Sequence, residues 1–356
     1  MKALLPYSQS RRIFFFLLCF QILIFSQGQV VSNLVNNYSF EDTIQCPSNA
    51  GQVNYCKYWF NPVVPSSPDY FNACANSKTL SIPSSSIITV PNNRFGIQIP
   101  RTGNAYCGFA VYELNVSNYR EYIKTRLKLK LVSGKSYCVT YHISLAEISR
   151  FVSSNIATYF SNDSMIYTAL SPPYLINVTP VVEPPIIVSD TINWVKIQGT
   201  YTATGTENFM TFGNFRDDAN TTKSQVKPLI NIIFNDGAYY YIDDVSVVEI
   251  NPANANLNDT LFICPNDSIV LGTDSTWDAS YTWQEIGVGS SLSCTNCPNP
   301  VATPTVTTKY YLTKQQCSAT TMDSVLVVVI TPTSQANAGS DKNICPDEVV
   351  QLGTAD

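Results

Sequence analysis

Histidine is almost absent: His142 is the only one among 356 residues. Zinc centres built on several imidazoles are thereby excluded, and a Ser-His-Asp relay would rest on that single residue. His142 stands in "YCVTYHISL", sharing parity with Cys138, Thr140 and Ser144, and reads as a solvated or hydrogen-bonded strand residue. Charge is scarce as well. Charged side chains make up 13% of the chain, with a formal net charge of −5, so the basic footprint of a nucleic-acid binder is missing. Neither G-x-S-x-G nor a true P-loop occurs; "SGKS" (Ser133–Ser136) has Leu129 where the leading glycine belongs, and a strand follows. Long helical periods are lacking too. Tyr, Phe, Thr, Ser, Asn and Pro fill the chain instead, with 45% hydrophobic residues, an all-β composition too apolar for disorder.

The first residues read as a targeting segment. Lys2, Arg11 and Arg12 precede the apolar run Ile13–Phe25, and Ser26-Gln27-Gly28 offers a small-x-small cleavage site, so a signal peptide over 1–28 is expected. The run is shorter than the roughly 20 residues that span a bilayer, and the processed chain is expected not to cross a membrane. Export places the cysteines in an oxidising compartment, where disulfides come before metal sites. Cys294 and Cys297 form a CxxC with no second CxxC and no histidine nearby, so a loop disulfide is expected there rather than redox or zinc chemistry.

An internal repeat divides the chain. "ICPNDSIVLGT" (Ile263–Thr273) returns as "ICPDEVVQLGT" (Ile344–Thr354), and a period of roughly 80 residues with alternating strands fits an immunoglobulin-like sandwich array. In the complete copy, 251–332, Trp283 is the expected core tryptophan and Cys264 with Cys317 the expected cross-sandwich pair. The second copy occupies 333–356 and stops early, which implies a longer parent protein. "LSCTNCPNPVATPTVTTKYYLT", followed by "DSVLVVV", resembles the PKD/Ig-like repeats of large surface proteins from gliding bacteria. That resemblance implies a cell-surface setting and, in many such proteins, type IX secretion.

Residues 29–250 alternate strand-like segments such as "KSYCVTYHISLAE" and "AYYYIDDVSVVEI" with Gly, Pro, Asn and Ser, as an antiparallel sandwich would. "NLVNNYSFE" at the start and "YYYIDDVSV" at the end resemble the two ends of jelly-roll carbohydrate-binding modules of the galactose-binding-like kind. The block from Trp59 to Cys74, with "VPNNRFGIQIPRTGNAYCGFAVY" and "REYI", resembles an N-terminal domain of the same bacterial surface proteins, some of which carry OmpA-like domains. In such jelly rolls a Glu of the first strand and an Asp of the last often meet at a structural calcium ion. The resemblance puts Glu41 and Asp243 there, with Asp244 as substitute. The alternative is that Asp243 accepts backbone or tyrosine hydrogen bonds while Asp244 faces water. On a regular strand these two neighbours point to opposite faces, which argues against a shared catalytic pair.

Sugar recognition needs rings for the pyranose face and directed partners for the hydroxyls. "YCKYWF" and "SPDYF" supply Tyr58, Trp59, Asp69 and Tyr70 as candidate contacts, with core packing as the alternative for the rings. "TRLKLKL" sets Arg126, Lys128 and Lys130 opposite Leu127, Leu129 and Leu131, a basic stripe or a solvated sheet edge. Cys46 and Cys74 flank the aromatic block and form a candidate bridge. The expectation is an exported, noncatalytic binding or adhesion protein, secreted or on the outer surface. Its jelly roll would present a face to a glycan or cell-envelope polymer on an Ig-like stalk, with structural Ca²⁺ as the candidate cofactor. A structural stalk without ligand is the second reading, and an accessory part of a glycoside hydrolase the third.

Overall fold

The computed structural model describes residues 32–330 apart from 76–87, 165–166, 169–173, 229–235, 255–258, 274 and 287–290, together with residue 349. The expected signal peptide lies outside the described residues, as does the second repeat copy except for Val349. The protein is all-β; among the described residues the one helical element is a 3-10 turn at Val53–Tyr55.

Nine strands frame the first sandwich: β1 (Trp59–Phe60), β2 (Asp69–Asn72), β3 (Ala105–Glu113), β4 (Ile123–Arg126), β5 (Ser136–Leu145), β6 (Ala157–Ser161), β7 (Val195–Thr202), β8 (Phe209–Gly213) and β9 (Gly237–Glu249). One sheet runs β7-β5-β9-β3-β2 and the other β1-β4-β8-β6, with every pairing antiparallel. Period-two alternation sends Tyr141 and Ile143 of β5, Tyr240 and Ile242 of β9, and Met210 and Phe212 of β8 into one core. Trp59 closes it, its ring tilted against Phe40 and Phe212. The basic segment departs from its expected alternation: β4 ends at Arg126, and Leu129 is 63% exposed while Leu127 and Leu131 are buried.

The long strand β9 is not regular. Asp243 pairs with His142 and Ser246 with Thr140, so one extra residue is inserted between them, and Asp244 adopts φ 46. Such a bulge resets the alternation. Core positions run Tyr240, Ile242 and then Val245, Val247, and both aspartates fall between them on the side away from the core. The opposite-face expectation for Asp243 and Asp244 is therefore corrected.

A second core gathers around Trp283, Tyr310 and Leu312. It belongs to a sheet of β10 (Thr260–Ile263), β11 (Ala279–Ile286), β12 (Thr308–Gln316) and β13 (Ala319–Val329), ordered β10-β13-β12-β11 with β10 parallel to β13. Cys46–Cys74 and Cys294–Cys297 are disulfide-bonded. The Cys264–Cys317 pairing is overturned: Cys317 bonds Cys138 of β5, and Cys264 is an exposed thiol. The cause is packing between the units. Cys317 sits at the β12–β13 turn, and that turn rests on the first sandwich, where Thr200 and Ser318 hydroxyls lie 3.1 Å apart.

Candidate functional site

The outer face of the β7-β5-β9-β3-β2 sheet carries the other half of the alternation: Phe71 of β2, Tyr106 of β3, and Tyr239 and Tyr241 of β9, packed with Phe95 and Ile88. Asp69 shares parity with Phe71 and stands on the same face. Here a cleft of about 510 Å³ opens. Asp69, Glu121 and Tyr239 form its buried floor, and Arg94, Glu113 and Tyr119 stand half-buried in its walls.

Each floor residue is fixed by its neighbours. Asp69 accepts from the Gly51 N–H at 2.7 Å and from the Tyr239 hydroxyl at 2.6 Å. Glu121, just ahead of β4, accepts from the Ala110 N–H at 2.8 Å, the Ser67 hydroxyl at 2.9 Å and the Tyr119 hydroxyl at 2.8 Å. Tyr239 stacks on Phe95 with 3.8 Å between ring centroids. It can lie flat across β3 because residue 108 is glycine; a Cβ there would come within 2.6 Å of the ring. Burial, then the charge of Glu121, pushes the Asp69 carboxyl up to about 7, against the pull of Tyr239 and Gly51. Burial raises Glu121 as well. Both acids thus serve to orient the Tyr239 and Tyr119 hydroxyls, while Arg94 and Glu113 offer a donor and an acceptor at the walls.

The second acidic group is held by the segment 101–105. Asp243 accepts from the N–H groups of Arg101 (2.9 Å), Thr102 (3.3 Å) and Asp244 (2.7 Å). Asp244 accepts from the Thr102 hydroxyl at 2.7 Å and pairs with the Arg101 guanidinium. Glu41 takes the N–H groups of Asn104 and Ala105 at 2.9 and 3.0 Å. Burial and the Asp244 charge drive Asp243 well above the usual carboxylate range. Every oxygen of the three carboxylates already has a donor, and donors are what a cation repels. Among the described residues no group of three His, Cys, Asp or Glu side chains converges as a cation site. The donor set does not fit calcium, whose coordination asks for 6–8 oxygens. The polar partners that these acids require are supplied by N–H groups, the Thr102 hydroxyl and Arg101.

No protein-family model matches the chain, and no curated protein does. Among solved structures, the chain is similar to the CBM22-1 xylan-binding domain of Xyn10C from Paenibacillus barcinonensis, at 10% identity and a TM-score of 0.34, covering 63% of this chain and 98% of that one. It is also similar to the K3 cleaved adhesin domain of Lys-gingipain from Porphyromonas gingivalis (13% identity, TM-score 0.30, 61% and 99% covered). The N-terminal cellulose-binding domain of Cellulomonas fimi β-1,4-glucanase C matches at 15% identity and a TM-score of 0.25, over 43% and 82%.

Of the four residues expected to contact a glycan, the cleft receives Asp69. Trp59 is 2% exposed and donates its Nε1–H to the Asn37 carbonyl at 3.0 Å; Tyr70 is fully buried, its hydroxyl on the Phe40 carbonyl at 2.8 Å. Neither presents a ring face. Tyr58 is exposed, with the Lys57 ammonium over its ring, away from the cleft. Sequence reasoning passed over Glu121 and Tyr239. A glutamate between Arg120 and Tyr122 in "REYI", just ahead of a strand, was the available signal for the first; Tyr239 was hidden in a run of three tyrosines that alternate between faces.

Proposed function

We propose that this protein is an exported, noncatalytic glycan-binding or adhesion protein, and that the Asp69–Glu121 cleft seats an uncharged sugar. The observation that carries this reading is a concave site of about 510 Å³ in which buried acids fix two tyrosine hydroxyls beside a half-buried ring, a donor and an acceptor. Ligand pockets of that size with a few directed polar groups suit polyhydroxyl ligands. A binding role is favoured over hydrolysis because the floor carboxylates are committed to Gly51, Ala110, Ser67 and the tyrosines. Glycoside hydrolysis asks for two carboxyls facing a scissile bond. In this reading the leader exports the chain, and the Ig/PKD-like units serve as a stalk at the outer surface, in the manner of gliding-bacterial surface proteins. A glycan array probed with the full chain tests it. Arg94→Ala and Tyr119→Ala should each weaken the strongest signal about tenfold, the loss of one aromatic or charged contact. An empty array, or signals indifferent to both variants, would remove the proposal.

A further inference from the structure

Where the two sandwiches meet, a second cavity of about 370 Å³ lies between Trp277 of the second unit and Tyr38 of the first. The two rings stand edge to face, 5.0 Å between centroids at 75°. Trp277 is 41% exposed, whereas Trp59 and Trp283 are buried. Trp194, the fourth, is half-buried with its ring against Tyr106, so Trp277 is the most exposed of the four and stands at a concave place.

That position is built. Asp278, next to Trp277, adopts the left-handed backbone at φ 56, which aspartate tolerates better than most side chains. Its carboxylate draws three donors from the first sandwich: Lys196 Nζ at 2.9 Å, Gln198 Nε2 at 2.7 Å and the Thr140 hydroxyl at 3.0 Å. The Cys138–Cys317 disulfide ties the same two units together. Opposite Trp277 the cavity is lined by the β9 bulge, through Asp244 and Ser246, and by Thr102 and His142.

We propose that this junction is a second carbohydrate site, distinct from the Asp69 cleft, taking one uncharged sugar ring of a glycan on the free face of Trp277. Charge balance selects the ligand class. Arg101 pairs with Asp244 and Lys196 with Asp278, so neither an anion nor a cation finds a net countercharge. His142 adds no charge near neutrality, since burial and the Arg101 charge lower it to about 4. What remains is an apolar ring face bordered by hydroxyls and self-paired charges, the combination that suits a pyranose. Both units contribute, so the repeat unit takes part in recognition as well as in spacing.

The test titrates the full chain with xylohexaose, cellohexaose, mannohexaose and laminarihexaose, with oligogalacturonate as the charged control. The emission difference between the parent chain and Trp277→Phe isolates the response of Trp277. At least one neutral hexaose should shift that emission saturably, and Trp277→Ala should weaken its binding about tenfold. Trp277→Phe, which keeps a ring beside Tyr38, should bind with intermediate strength and guards against misfolding of the alanine variant. Arg94→Ala weakens the other cleft about tenfold; a Trp277 response whose affinity is unchanged in that variant assigns the binding to the junction. No Trp277 response to any neutral hexaose, a response to oligogalacturonate alone, or equal affinity in the folded Trp277→Ala variant would each overturn the proposal.

Discussion

Asp69 and His142 are neutralised by burial in opposite senses, and their consequences for stability differ in sign. Asp69 is pushed from 3.8 up to about 7 by burial and by Glu121. The folded state then holds a proton that the unfolded chain releases above about pH 4, so this contribution to stability falls as pH rises towards 7. His142 is lowered from 6.5 to about 4 by burial and Arg101. Below about pH 6.5 the unfolded chain gains a proton that the folded chain refuses, so this contribution falls as pH drops. Denaturant midpoints between pH 4 and 8 should separate the two. Asp69→Asn should remove a decline that spans about pH 4 to 7, and His142→Gln should remove a loss that spans about pH 6.5 down to 4. Profiles of both variants running parallel to the parent chain would refute these assignments.

At the scale of elements, the β9 bulge and the 101–105 segment form one clamp. The bulge delivers both aspartates to the same side, and the segment meets them with N–H groups, a hydroxyl and a guanidinium. Glu41 holds the far end of the segment at Asn104 and Ala105. Because donors already compensate these carboxylates, EGTA should leave the melting temperature unchanged, whereas Asp243→Ala should cost roughly 3 kcal/mol by stranding buried N–H groups. A melting temperature lowered by EGTA and restored by calcium would contradict the clamp. Part of this was legible beforehand. In "YYYIDDVSVV" the apolar positions jump three residues from Ile242 to Val245, and a jump of three in a period of two marks an inserted residue. The partner segment was not legible, since it lies about 140 residues earlier and nothing local in Arg101-Thr102-Gly103 points to β9.

For the whole molecule, the junction joins the N-terminal sandwich to the second unit through a disulfide, an aromatic contact and the network around Asp278. Peptide mapping without reduction should recover Cys138 linked to Cys317, and a maleimide should label Cys264 on the native protein. A dominant Cys264–Cys317 peptide would show the units to be joined differently. The sequence by itself determined the all-β class, the strand parity that buries Tyr141 and Ile143, and the core role of Trp283, because alternation and turn chemistry act over a few residues. It did not place Asp69 beside Glu121, Trp277 beside Tyr38, or Cys138 beside Cys317. Those pairings join strands and loops far apart along the chain, 179 residues for the disulfide, and they follow from sheet order, register and the packing of one unit on another. Tertiary structure alone decides these, because local propensity carries no information about which distant face a side chain will meet.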